Sequence, residues 1–227
     1  MKILSIAAHP DDEVLGCGGA MAKWSSDGAE VHSLIMAEGA TSRDKSRDRE
    51  SRKADLTHLA QASQKAGDIL GIASVRLLSY PDNRMDSVDL LKVVKSVEEQ
   101  IEKIKPEVVV THHSADLNID HQVIHEAVMT ACRPQPGHSV ERILSFEVPS
   151  STEWQSPKFG NSFIPNWFED ITGMLELKIN ALEAYESEMR EWPHARSIKA
   201  VEHLAHWRGA SIGREAAEAF ILERAIN

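Results

Sequence analysis

The sequence predicts an α/β fold built on an open, mostly parallel sheet. Short apolar runs recur at 3–8, 30–36, 75–80, 107–113 and 143–148, each too brief for a helix and read as a strand. Between them lie stretches with helical spacing. The clearest is 88–104, where Leu90, Leu91, Val94, Val97 and Ile101 form one apolar stripe. Finally, polar residues gather just past the ends of the runs, where an open α/β sheet presents its loops to a ligand.

The first run ends in Ala8-His9-Pro10-Asp11-Asp12-Glu13. Neighbouring carboxylates repel and resist burial without a cation, so packing alone gives no reason to crowd them at a strand end. Beginning a helix is one explanation, because carboxylates favour the positive end of its dipole. A metal ion is the other. The fourth run supports the metal, because it leads into Thr111-His112-His113 and then Asp120-His121. Two such strand ends meeting over one ion would offer a mixed nitrogen and oxygen set that suits zinc. His121 and His125 lie four apart, on one face of a helix expected within 117–132.

His9-Pro10-Asp11-Asp12-Glu13 with the downstream Asp120-His121 resembles the zinc-dependent de-N-acetylases of the LmbE/PIG-L type. A glycine-rich turn, an acidic loop after the second strand and a Pro-Asp loop follow in the family's order across nearly the whole chain. The resemblance implies one domain over residues 1–227, with a Rossmann-like three-layer fold, a mostly parallel sheet and a helical C-terminal third. It implies Zn²⁺ as cofactor, held by His9, Asp12 and His121, with Asp11 as general base. It stops short of His125, and Asp120 is read as a carboxylate that orients a histidine. Asp82, in the loop Pro81-Asp82-Asn83-Arg84, is implied to hydrogen-bond sugar hydroxyls, and Arg84 beside it is a further substrate-binding candidate. One departure matters: many members carry His-Pro-Asp-His where this chain has Asn118-Ile119-Asp120-His121. With that first histidine missing, His113, His194 and a re-used, protonated Asp11 are the candidates for the acid, in that order.

Other segments admit two readings each. The run 43–52 is charge-dense and has no apolar stripe, so it is a solvated face or a lid whose arginines meet an anionic substrate group such as a phosphate. The stretch 150–166, with Trp154, Pro157, Gly160, Pro165 and Asn166, is an irregular connection or a wall of the site. His194 and Arg196 follow Pro193 just past a helix expected over 175–189, and are candidates for returning to the crevice, with Arg196 binding substrate. Two last helices are expected near 198–207 and 214–224, with alanine-rich faces that offer surface for a homo-oligomer.

The bulk properties narrow the function. A chain of 227 residues with 42% hydrophobic and 26% charged residues suffices for one α/β domain with a full core. A net charge of −10 argues against nucleic acid or an anionic membrane as partner. The two cysteines, Cys17 and Cys132, make no disulfide framework, and the chain enters a strand directly, without a basic leader or long apolar span. A cytoplasmic enzyme acting on a small amino-sugar conjugate is the expectation. The reaction implied by the resemblance is removal of the N-acetyl group from an N-acetylglucosamine-type conjugate by zinc-activated water. The rivals are a zinc amidase or esterase on a non-sugar acyl group, and a non-catalytic sugar- or metal-binding member of the fold.

Overall fold

The apolar runs form strands because their residues alternate between two buried faces. In β1 (Lys2–Ala7), Ile3 and Ala7 pack into one core, while Leu4, Ile6 and the following Ala8 pack into the other. The computed structural model describes residues 1–156 and 162–226. After β1 come α1 (Asp12–Ser26), β2 (Glu30–Ala37), α2 (Lys53–Leu70), β3 (Ser74–Tyr80), α3 (Leu90–Ile104), β4 (Val108–His112) and α4 (Ile119–Ala131). Then follow β5 (Arg142–Phe146), β6 (Trp167–Asp170), α5 (Leu175–Glu183), α6 (Ile198–Ala210) and β7 (Ala217–Ala225).

The strands lie in the order β3-β2-β1-β4-β5-β7-β6, and the first five run parallel. Helices α1, α2 and α5 cover one face, and α3 and α4 the other. The order reverses between β1 and β4, since the chain winds outward from β1 to β3 and then restarts on the other side of β1. An open sheet forms its ligand crevice at such a point, and the loops after β1 and β4 meet there. In α3 the buried stripe is Val93, Val94, Val97, Ile101 and Ile104, whereas Leu91, expected inside, is exposed. No helix among the described residues is long and apolar enough to cross a membrane.

The segment expected as a helix over 214–224 is instead β7, antiparallel to both β5 and β6. Alanine and glutamate are good helix formers, but propensity is a weak prior that tertiary pairing overrides. Phe220 sits between Phe146 and Trp167 in the sheet, and Leu222 pairs with Leu144. The expected helix over 175–189 ends as α5 at Glu183, and the C-terminal third holds β6 as well as α5 and α6. Pro157 and Gly160 lie outside the described residues.

β7 also repairs a break in α1. Cys17 has non-helical angles, φ −146° and ψ 23°, which interrupt the helix at this turn. Glu218 of β7 accepts from Gly19 N (3.0 Å) and Ala20 N (2.7 Å), while Lys178 of α5 donates to Leu15 O (2.8 Å) and to Glu218 itself (2.5 Å). Both side chains are buried. Gly16, just before the break, lies against Phe146, where an added Cβ would come within 2.2 Å of the ring. Removing one partner of such a pair strands a buried charge, so Glu218→Ala is expected to lower stability by about 3–5 kcal/mol. Lys178→Met added to it is expected to restore part of the loss, and urea denaturation of the two variants measures both effects.

Candidate active site

The site begins where β1 stops. The amide of Ala8 donates to Nε2 of His112 (2.8 Å), which makes that nitrogen an acceptor. His112 is therefore neutral, and burial together with the neighbouring His121 keeps it well below the usual histidine range. It stacks on His121 with ring centroids 3.8 Å apart and so supports that ring from behind. The chain then turns through Pro10, and Asp11 takes φ 118°, a conformation unusual for a residue with a Cβ. Its carbonyl accepts from Val14 N and Leu15 N, and its amide donates to Glu13 Oε2 (3.2 Å). Glu13 is held in turn by the hydroxyl of Tyr185, and burial pushes its carboxyl up to about 7.

Asp12 lies at the centre. Its Oδ2 is 3.0 Å from Nδ1 of His9, 3.1 Å from Nε2 of His121 and 2.8 Å from the amide of His9. The far nitrogen of each imidazole faces another carboxylate. Nε2 of His9 lies 3.0 Å from Asp120, and Nδ1 of His121 lies 3.0 Å from Asp116. Asp120 is fixed by Asn83 N (2.7 Å) and Met85 N (2.9 Å), and Asp116 by the hydroxyls of Ser151 and Thr152 and by Asn118 N.

Burial opposes ionisation of Asp12, but the imidazoles of His121 and His9 outweigh it and hold the carboxyl well below its usual range. Burial likewise opposes a charge on His121, yet Asp12 and Asp116 raise it to about 9, and Asp12 and Asp120 raise His9 in the same way. Asp116 is lowered to about 2, because His121 and the two hydroxyls overcome its burial. The cluster thus favours positive charge at the point where His9, Asp12 and His121 converge.

The donor set fits zinc. The ligating atoms of His9, Asp12 and His121 lie within 4.8 Å of one another, giving two nitrogens and a carboxylate oxygen with room for further ligands. A carboxylate behind each imidazole is the usual means of orienting a metal-binding histidine. His9, Asp82 and Asp120 form a second close group, but there Asp120 accepts two backbone amides and Asp82 accepts from Ser42 N (2.9 Å). That group reads as the support of His9.

A cavity of about 230 Å³ opens over this cluster. His9, Asp11, Asp12, Asp82, His121 and Arg196 line it, with Asn83, Asn118, Ser42, Ser151, Arg43, Glu188 and Arg190 on its walls. Arg196 Nη1 lies 3.2 Å from Oδ2 of Asp11. Burial and the charge of Asp12 raise the Asp11 carboxyl well above its usual range, against the pull of Arg196.

Arg84, His113 and His194 do not line the cavity. Arg84 turns to the backbone of Asp44 (3.0 Å), and His113 packs edge-on to Phe163. His194 stands beside Trp154 and accepts the amide of Arg196 through Nδ1 (3.0 Å), so its visible role is to shape the turn that carries Arg196. His125 donates Nδ1 to the carbonyl of His112 (2.9 Å) and serves the fold. Sequence reasoning missed Asp116, which sits two residues before Asn118, inside the cluster already singled out. It also gave no role to Glu13 or Tyr185, whose contact joins residues far apart in the chain.

An α/β sheet with a histidine and carboxylate cluster at its switch point has the form of a ligand- or metal-binding centre. Residues 4–132 match the family model PIG-L, GlcNAc-PI de-N-acetylase, and the chain belongs to that family. The uncharacterized deacetylase YaiS of Escherichia coli is 31% identical over 191 residues, 82% of this chain and 90% of the relative. The diacetylchitobiose deacetylase of Thermococcus kodakarensis is 27% identical over 217 residues, 87% and 76% of the two chains. Among solved structures, the 4-carboxy-2-hydroxymuconate hydratase GalB of Pseudomonas putida shares the fold with TM-score 0.79 and 21% identity, covering 100% of this chain and 97% of that one.

If Asp116 and Asp120 orient the two imidazoles, Asp116→Asn and Asp120→Asn should each weaken zinc affinity by about 10–100-fold. Competition with a chromophoric chelator measures this, and an unchanged affinity in either variant would remove that carboxylate from the role.

Proposed function

We propose that the chain is a zinc-dependent N-deacetylase that hydrolyses the acetamido group of an N-acetylated amino sugar to acetate and the free amine. The observation that carries the reading is the Asp12 carboxylate, shared by His9 and His121 on the floor of the cavity that Asp11 also lines. The relatives named as deacetylases support the acetamido substrate. A zinc ion in such a site lowers the pKa of water toward ~7 and polarises a carbonyl.

The remaining chemistry belongs to the side chains. Asp11 takes a proton from the attacking water as its oxygen bonds to the carbonyl carbon. Arg196 holds Asp11 by one nitrogen and lines the cavity beside it, where its positive charge faces the developing negative charge. The carbon–nitrogen bond then breaks, and Asp11 returns its proton to the leaving amine. Asp11 takes this second task because His113 and His194 lie off the cavity and Asn118 does not titrate. Asp82, on the cavity wall, meets the hydroxyls of the sugar.

The test is acetate release from a panel of N-acetylhexosamine conjugates and simple acylated amines and esters, using metal-stripped protein with and without zinc. Zinc-dependent acetate from the sugars is the expected result. Hydrolysis confined to the non-sugar acyl compounds, or bound zinc without turnover, would overturn it. Asp11→Asn is expected to retain zinc and lose at least about 10²-fold in kcat; a near-normal rate would refute the base assignment.

A further inference from the structure

The arginines of the charged run are not equivalent. Arg47 and Arg49 both pair with Glu38 at 2.7 Å, and Arg52 holds Asp44 (2.7 Å) and Asp55 (3.1 Å). Those three are committed to ion pairs within the chain and lie off the cavity. Arg43 is different, because it lines the cavity and uses only Nη2, on Glu188 at 2.6 Å.

Arg190 reaches the same wall from the segment after α5. Its Nη1 donates to the carbonyls of Ser187 (2.9 Å) and Met189 (2.8 Å). Among the described residues neither guanidinium makes a further hydrogen bond, so each keeps two nitrogens free. Glu188 brings the two together, since it touches Arg43 and stands two residues before Arg190. Arg43 is 41% exposed on its side chain, and Arg190 is exposed, so both are open to a ligand. A chain of net charge −10 thus presents two cations against one carboxylate at the mouth of this cavity. A guanidinium with a free edge matches the paired oxygens of a carboxylate or a phosphate.

We propose that Arg43 and Arg190 form a subsite for an anionic group, carboxylate or phosphate, on the part of the substrate that lies beyond the acetylated sugar. This rests on the deacetylase reading and narrows it to anionic conjugates. The group enters beside Glu188 and bonds the free Nε–Nη2 edge of Arg190 and a free nitrogen of Arg43, while the acetamido end reaches the Asp12 cluster below.

The zinc-loaded protein is assayed on three N-acetylglucosamine compounds: the neutral methyl glycoside, the carboxymethyl glycoside and the 1-phosphate. At least one anionic compound is expected to exceed the neutral one by about 10–100-fold in kcat/KM, the range of one or two charge-assisted hydrogen bonds. The better of the two identifies the anion. Arg43→Gln with Arg190→Gln is expected to lower that preference at least about tenfold, whereas Arg49→Gln, which faces Glu38 away from the cavity, keeps it. Equal kcat/KM for all three compounds, or a preference that survives in the double variant, overturns the subsite. If none of the three yields acetate, the deacetylase reading fails and calorimetry decides the subsite separately. Tighter binding of the 1-phosphate than of the methyl glycoside, lost in the double variant, supports it; equal binding or none overturns it.

Discussion

The carboxylate of Asp12, shared by His9 and His121, is the contact on which the rest of the structure depends. It joins the loop after β1 to the start of α4, where the strand order reverses between β1 and β4. Burying it with Asp11, Glu13, Asp82, Asp116 and Asp120 nearby is costly unless positive charge meets it. Much of the surrounding architecture supplies or holds that charge. Two imidazoles face Asp12, each is backed by a carboxylate, and those carboxylates are fixed by amides and hydroxyls from other loops. Those carboxylates draw both imidazoles toward the charged form, which is how the protein's own side chains answer the charge of Asp12.

The C-terminal third holds this N-terminal motif in shape. Tyr185 reaches Glu13, Arg196 reaches Asp11, and Lys178 and Glu218 close the break in α1 at Cys17. The break separates the short first part of α1, which carries Asp12 and Glu13, from the longer second part that packs on the sheet. A continuous helix would tie the position of the motif to the packing of the whole helix. An interrupted one, sealed by a buried ion pair, lets the motif turn be set by its own contacts.

The motif and the parallel half of the sheet were legible in the sequence because both are local. The runs at 3–8 and 107–113 alternate between two cores, and the histidine and carboxylate residues at their ends need no distant partner to be noticed. β7 was not legible, because Ala217, Glu218 and Ala219 carry helical propensity and only their pairing with β6, continued by the pairing of the later residues with β5, makes them extended. The roles of the histidines were ambiguous for a related reason. His112, His113, His121 and His125 look alike in sequence, and what separates them is which nitrogen meets an amide, a carbonyl or a carboxylate after folding. Arg43 could not be told from Arg47, Arg49 and Arg52 until the partners of each were known.

Asn118 shows how a departure from the family pattern is absorbed. Its side-chain oxygen accepts from Asp120 N (2.9 Å) and so caps α4, while its amide nitrogen donates to Asn83 Oδ1 (2.7 Å). A side chain engaged at both ends does not move, and an amide does not titrate. The position therefore locks the loop after β3 to the start of α4, which keeps Asp120 on His9 and His121 on Asp12. Asp11, the proposed base, is held independently of this lock. Its backbone is held at φ 118° by the start of α1 and its carboxylate by Arg196. The reaction proposed above uses one carboxylate for both proton steps and so needs that carboxylate held firmly, and the contacts around Asp11 provide such a hold.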